Sequence, residues 1–214
     1  MRVLTNVTSP AATTALVTLA AVKEELALTG VDAARDAVLT RYIAAASTAM
    51  QRYRGGVFAA QSYRDEITVE CGDRRRAEGA SIAPLLLAVT PVISIASVTE
   101  DGAALDASAW SFSAESGFLY RKDAAGELTQ WSADTVVVAY AAGFATIPDD
   151  IVDACIKAVK WKHFARLRDP AVRSRDVSGV YSASYWGGTG IGGAGDLSQE
   201  VVDVLDRYRI PVVG

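Results

Sequence analysis

Gly188, Gly190 and Gly193 fall in the spacing GxGxxG, the one arrangement in this 214-residue chain that suggests a phosphate cradle. Such a loop works when it follows a strand, opens a helix and is answered about twenty residues on by a ribose-binding acid. No strand pattern precedes these glycines, and the sequence ends before that acid would appear. His163 is the only histidine, so any Ser-His-Asp or Cys-His scheme would have to use it. It stands among Lys162, Phe164 and Arg166, and reads as a residue at the basic end of a helix. Cys71 and Cys155 form no CxxC or Cys/His cluster. They could form a disulfide, but two buried free thiols are the preferred reading, which points to a reducing cytosol. The carboxylates Asp149 and Asp150 are explained by a helix start. Arg74, Arg75 and Arg76 read as a solvated charge run in a hairpin loop. Arg166 and Arg168 compensate a helix end, while Arg173 and Arg175 could face an acidic partner. No catalytic residue, metal ligand or cofactor site is expected from these residues. Tyr181, Tyr185 and Trp186 are different, because the glycines around them give poor core support. Exposed aromatics in such a setting suit an interface that orders on binding.

Composition narrows the field further. Half of the residues are hydrophobic, enough for a real core, and the formal net charge is −4. That balance argues against a protein whose main task is gripping phosphates. No run approaches the roughly 18 apolar residues of a membrane span, so no membrane partner is expected. Residues 9–22 are broken by threonines and Pro10 and run into Lys23-Glu24-Glu25, unlike a targeting segment. Asn6-Val7-Thr8 is read as a chance sequon.

The elements that must carry these residues are legible from periodicity. The first sixteen or so residues read as an arm, ordered only if something holds them. Thr18 is a good N-cap for a short helix carrying Leu19, Val22 and Leu26, closed by Gly30. Asp32 caps a second helix to about Tyr53, with Leu39, Ile43 and Met50 on its apolar face and Gly55-Gly56 beyond its end. The period then changes to two. Ile67, Val69 and Cys71 alternate with polar residues, as do Leu85 with Leu87 and Val136 with Val138 and Tyr140. Ile93 and Ile95 alternate too, with Val98 on the opposite parity. Asp101-Gly102, Ser116-Gly117 and Ala125-Gly126 supply turns. A long amphipathic helix spans Ile147–Asp169, acidic at its start and basic at its end, with Trp161 as a core anchor beside Ile43 and Met50. Residues 170–196 read as a glycine-rich loop, and a short helix opens at Leu197-Ser198 before the ending Tyr208, Arg209, Ile210, Pro211, Val212, Val213.

The order helix, helix, β-region, helix, loop, helix gives an α+β fold: a small helical bundle with an inserted antiparallel β-subdomain. The expected division is an arm at 1–16, a bundle from 17–56 and 147–169, and a β-subdomain at 57–146. A loop at 170–196 and a C-terminal helix with tail at 197–214 complete it.

The set of patterns resembles the head-tail connector (adaptor, head-completion) proteins of long-tailed phages and gene transfer agents. The matching stretches are TLAAVKEELALTG with DAARDAVLTRYIAAASTAMQRYRG, PVISIASVTEDGAALDASAWSF, TVVVAYAAGFATIPDDIVDACIKAVKWKHFARLRD and LSQEVVDVLDRYRI. They cover about residues 17–169 and 197–210. The long glycine-rich loop and the N-terminal arm depart from the family pattern. The resemblance implies a non-enzymatic virion protein of the neck, a subunit of a usually dodecameric ring under the portal protein. The ring would extend the DNA channel, without specific binding of the DNA, and offer a platform to a stopper or tail-completion protein. Tyr208 to Val213 are then expected at the portal interface, with Tyr181, Tyr185 and Trp186 as a second contact. A stopper or tail-completion subunit is the alternative, and an enzyme using the glycine-rich loop a more remote one.

Overall fold

The computed structural model describes residues 2–69, 83–166 and 197–210, and the backbone alone of 174–177 and 181–184. It divides into two units, Met1–Thr13 with Phe58–Thr146 and Ile210–Gly214, and Thr14–Val57 with Ile147–Arg209.

The second unit is helical. Thr18 Oγ1 accepts from the Ala21 N–H at 3.2 Å and starts α1, Leu19–Glu25. Asp32 Oδ1 accepts from the Arg35 N–H at 3.1 Å and starts α2, Ala33–Arg54. Each cap satisfies one of the donors that a helix start leaves orphaned. α2 ends where Gly55 takes φ +89°, donating to Arg52 O, while Gly56 donates to Gln51 O. This pair of bonds is a Schellman ending, and its left-handed residue favours glycine. The buried stripe of α2 is Leu39, Ile43, Ala46, Ser47, Met50 and Arg54, at spacings of three and four. It packs on α3, Asp149–Arg166, which buries Ile151, Ala154, Cys155, Ala158 and Val159. α4, Gln199–Leu205, buries Val201, Val202 and Leu205 and packs on α3 and α2.

Ile43 is 4 % exposed and Met50 fully buried, but Trp161 is 43 % exposed and does not anchor the core. The reason is angular. At 100° per residue, Trp161 lies about 120° from the middle of the stripe set by Ile151, Cys155 and Val159. The continuation of that stripe falls on Lys162, so the apolar face of α3 ends one turn earlier than residue type suggests.

The first unit is β-structure. Its larger sheet has the order β1 (Arg2–Ser9), β2 (Gln61–Thr68), β9 (Thr135–Ala142), β4 (Val92–Glu100), β5 (Ala103–Ala104), antiparallel throughout. A second sheet joins β3 (Leu85–Leu86), β7 (Phe118–Lys122) and β6 (Trp110–Phe112), with β8 (Leu128–Thr129) on β7. β9 is the central strand, and it buries Val136, Val138, Tyr140 and Ala142 in strict alternation. These residues share one core with Tyr63, Ile67, Leu85, Leu87, Val92, Val98, Leu119 and Trp131.

Three expectations change here. Residues 2–9 are not an arm waiting for a partner, because β2 supplies one along the whole strand. The residues that β1 needs lie sixty positions away, so no local pattern shows the pairing. In β4 the core positions are Val92, half-buried Ile95 and Val98, three apart, while Ile93 is 44 % exposed. Register shifts between Val92 and Ser94 and between Ile95 and Ser97 each add a residue. Two bulges therefore convert a period of two into a period of three and explain the odd parity of Val98. The stretch 170–196, read as a glycine-rich loop, contains β10 (Ser174–Val177) paired antiparallel with β11 (Tyr181–Ser184). Cys71, Arg74, Arg75, Arg76, Arg168 and Arg173 lie outside the described residues, as do the glycines of the GxGxxG run.

Candidate interaction site

The chemistry that a catalytic reading would need is not assembled among the described residues. No three His, Cys, Asp or Glu side chains there are grouped to hold a metal, and no described helix is long and apolar enough to cross a membrane. Cys155 is a free thiol, fully buried, whose burial pushes its pKa up to about 11 against a contact with Ser47 Oγ at 3.8 Å. A thiol so raised stays protonated and is a poor nucleophile. His163 stacks edge-on to Phe164 at 5.4 Å on the exposed side of α3. An open depression of about 530 Å³ touches Arg121. That guanidinium is engaged through Nε to Glu100 Oε2 at 3.1 Å and through Nη1 to Ala109 O at 2.9 Å.

What the second unit does build is an anchor for the end of the chain. After α4, residues Asp206–Tyr208 make a 3₁₀ turn. The Tyr208 hydroxyl donates to the Asp150 carboxylate, 2.9 Å from each oxygen, at the first turn of α3. Burial and then Asp150 raise the pKa of Tyr208. The Tyr53 hydroxyl donates to Asp206 Oδ1 at 2.6 Å, and that carboxylate raises the Tyr53 pKa. Arg209 lies over the Tyr53 ring at 5.5 Å. Beneath them Arg54, 1 % exposed, donates from Nε to Tyr208 O at 3.2 Å and from Nη1 to Val57 O. Lys157 of α3 pairs with Glu200 of α4 on the surface. The last turn of α2 and the first turn of α3 thus hold the turn after α4 from two sides.

Of the residues expected at a partner interface, Tyr208 and Arg209 are therefore occupied within the chain, and Ile210 is half-buried. Pro211, Val212 and Val213 lie outside the described residues. Tyr181 opens β11, and Tyr185 and Trp186 lie outside the description. Tyr53, Arg54 and Asp150 were missed as members of this site. Arg54 gave one usable signal: a cation at the i+4 position from Met50, on the apolar stripe of α2, has to find a buried partner.

Among the described residues, the polar side chains of this site are spent on holding chain segments together. Residues 15–210 match the family model described as head completion protein, and the chain belongs to that family. No curated protein matches it. Among solved structures it is similar in fold to chains of gene transfer agent (GTA) particles. One is from the neck of an empty particle computed with C6 symmetry, at TM-score 0.55 and 17 % identity. Another is from the neck of a native particle computed with C12 symmetry, at TM-score 0.53 and 17 % identity. A third is from the virion of a native particle, at TM-score 0.53 and 15 % identity. Each alignment covers 99 % of this chain and 97 % of the other.

Proposed function

We propose that the chain is an adaptor subunit of a phage-like neck, forming a ring under the portal that continues the DNA channel and presents a platform to the tail. The observation that carries this reading is the family match across residues 15–210. The likeness in fold to neck chains computed with C6 and C12 symmetry supports the ring. A net charge of −4 suits a conduit that a polyanion passes without being held. The anchor around Tyr208 supports a role for the terminal residues, since it fixes the point from which Pro211–Val213 leave. The protein acts by assembly and catalyses no reaction in this reading, and its partners are its own copies, a portal and a stopper.

Mixing the purified chain with the portal of the same particle and imaging the product by electron microscopy tests the assignment. Rings of the chain seated on the portal are expected. Rings that ignore the portal and bind only tail components would replace the adaptor role with that of a stopper or tail-completion subunit.

A further inference from the structure

β1 carries an open edge whose hydrogen-bonding groups can be named. In an antiparallel ladder alternate residues turn both N–H and C=O toward one neighbour, and the residues between turn them away. The Val69 N–H bonds Asp134 O at 2.9 Å, and Thr68 stands opposite Thr135. Ile67, Asp65 and Tyr63 therefore face β9, while Thr68, Glu66 and Arg64 face β1. Their partners Arg2, Leu4 and Asn6 face inward. Val3, Thr5 and Val7 turn their N–H and C=O outward, where no described strand pairs with them.

Edges of this length are normally guarded by charge, proline or bulges, because a bare edge templates another strand. β1 has one charge, Arg2, no proline, and an irregularity only between Val7 and Ser9. Leu4 and Val7 are 56 % and 52 % exposed. The far edge of the same sheet is guarded. On β4 the Val92 N–H is spent on Ala114 O at 2.7 Å, Val98 O accepts from the Leu105 N–H at 2.9 Å, and Glu100 pairs with β5.

We propose that the outward edge of β1 receives the β10–β11 pair of a neighbouring copy, adding strands across each subunit boundary of the ring. The inference rests on the ring reading. A ring of more than two subunits uses heterologous contacts, so β1 must meet a different strand and not its own copy. β10 and β11 form a pair that joins no other described strand, and two strands alone are marginal in water.

The test uses the purified full chain, alone and beside the portal, with mass photometry and negative-stain imaging. Thr5→Pro deletes an outward N–H and no bond to β2, which an edge strand tolerates. Replacing residues 174–184 by a Gly/Ser segment of equal length removes the proposed occupant without touching β1. Both variants are expected to keep the wild-type thermal midpoint within a few degrees and to assemble more than about tenfold less well, from the loss of interstrand bonds at every boundary. Normal rings from Thr5→Pro would overturn the edge contact and leave the ring reading intact. Rings from the 174–184 variant would overturn the assignment of β10–β11. If Thr5→Pro unfolds the monomer, the 174–184 variant decides. A wild-type chain that stays monomeric in both settings would overturn the ring reading and this inference with it.

Discussion

Tyr140 and Asp65 are the pair on which the β core depends at the scale of single residues. The Tyr140 hydroxyl donates to Asp65 Oδ2 at 2.8 Å and accepts from the Val89 N–H at 3.2 Å. The same carboxylate oxygen accepts from the Ala88 N–H at 2.8 Å. Two adjacent backbone donors of the turn after β3 are thus satisfied by side chains of the larger sheet, so the pair ties that turn to the sheet. Tyr140→Phe leaves Val89 and Asp65 short of a partner and should cost about 1–3 kcal/mol in urea unfolding. Burial, and after it Asp65, raises the Tyr140 pKa. The unfolded chain loses this proton near pH 10 and the folded chain does not. Stability from this group is therefore complete below pH 10 and falls above it, by up to about 1.4 kcal/mol per pH unit. Tyr140→Phe should remove that part of the alkaline slope, measurable by unfolding at pH 9 to 11.

The elements are held at their ends, and their failure should be local. Arg54 closes α2 onto the C-terminal turn through carbonyls of Tyr208 and Val57. Arg54→Met should cost about 3 kcal/mol, since it takes the charged donor from two part-buried carbonyls. Amide exchange should rise in 199–208 while β2 and β9 stay protected. A uniform rise would mean that the anchor is not a separate element. Gly143 turns the chain out of β9 at φ +112°, and an added Cβ would lie 2.7 Å from Ala59 O and 3.0 Å from Phe58 O. Both contacts are backbone and neither can swing aside. Gly143→Ala should therefore lower stability by about 2 kcal/mol or more, read from the denaturation midpoint.

At the scale of the whole molecule, the anchor lets the proposed portal contact be tested apart from folding. Tyr208 and Arg209 are tied to Asp150 and Tyr53, so truncation after Ile210 removes none of these contacts. A chain ending at residue 210 should keep its thermal midpoint within a few degrees and lose binding to the portal in a pull-down. Unchanged portal binding would move the contact to another surface. Truncation after Asp206 should in contrast release the end of α2 and lower the midpoint.

Local physics was enough for much of this. Thr18, Asp32 and Gly55 mark helix ends because the orphaned donors and acceptors of a helix are satisfied within three or four residues. Val136, Val138 and Tyr140 mark the central strand because a strand buried on one face alternates. The α+β order, the helical packing stripes and the family resemblance all follow from such short-range signals. The pairing of β1 with β2, the bulges of β4 and the burial of Arg54 do not. Each depends on a partner more than fifty residues away, or on a register that only the opposing strand sets. Trp161 makes the same point in reverse: its type suits a core, and only the angle of the finished packing puts it outside. Residue chemistry determined which segments fold and how they end. Tertiary structure decided which edges and side chains remained free to meet another molecule, because exposure belongs to the packed arrangement and not to any residue alone.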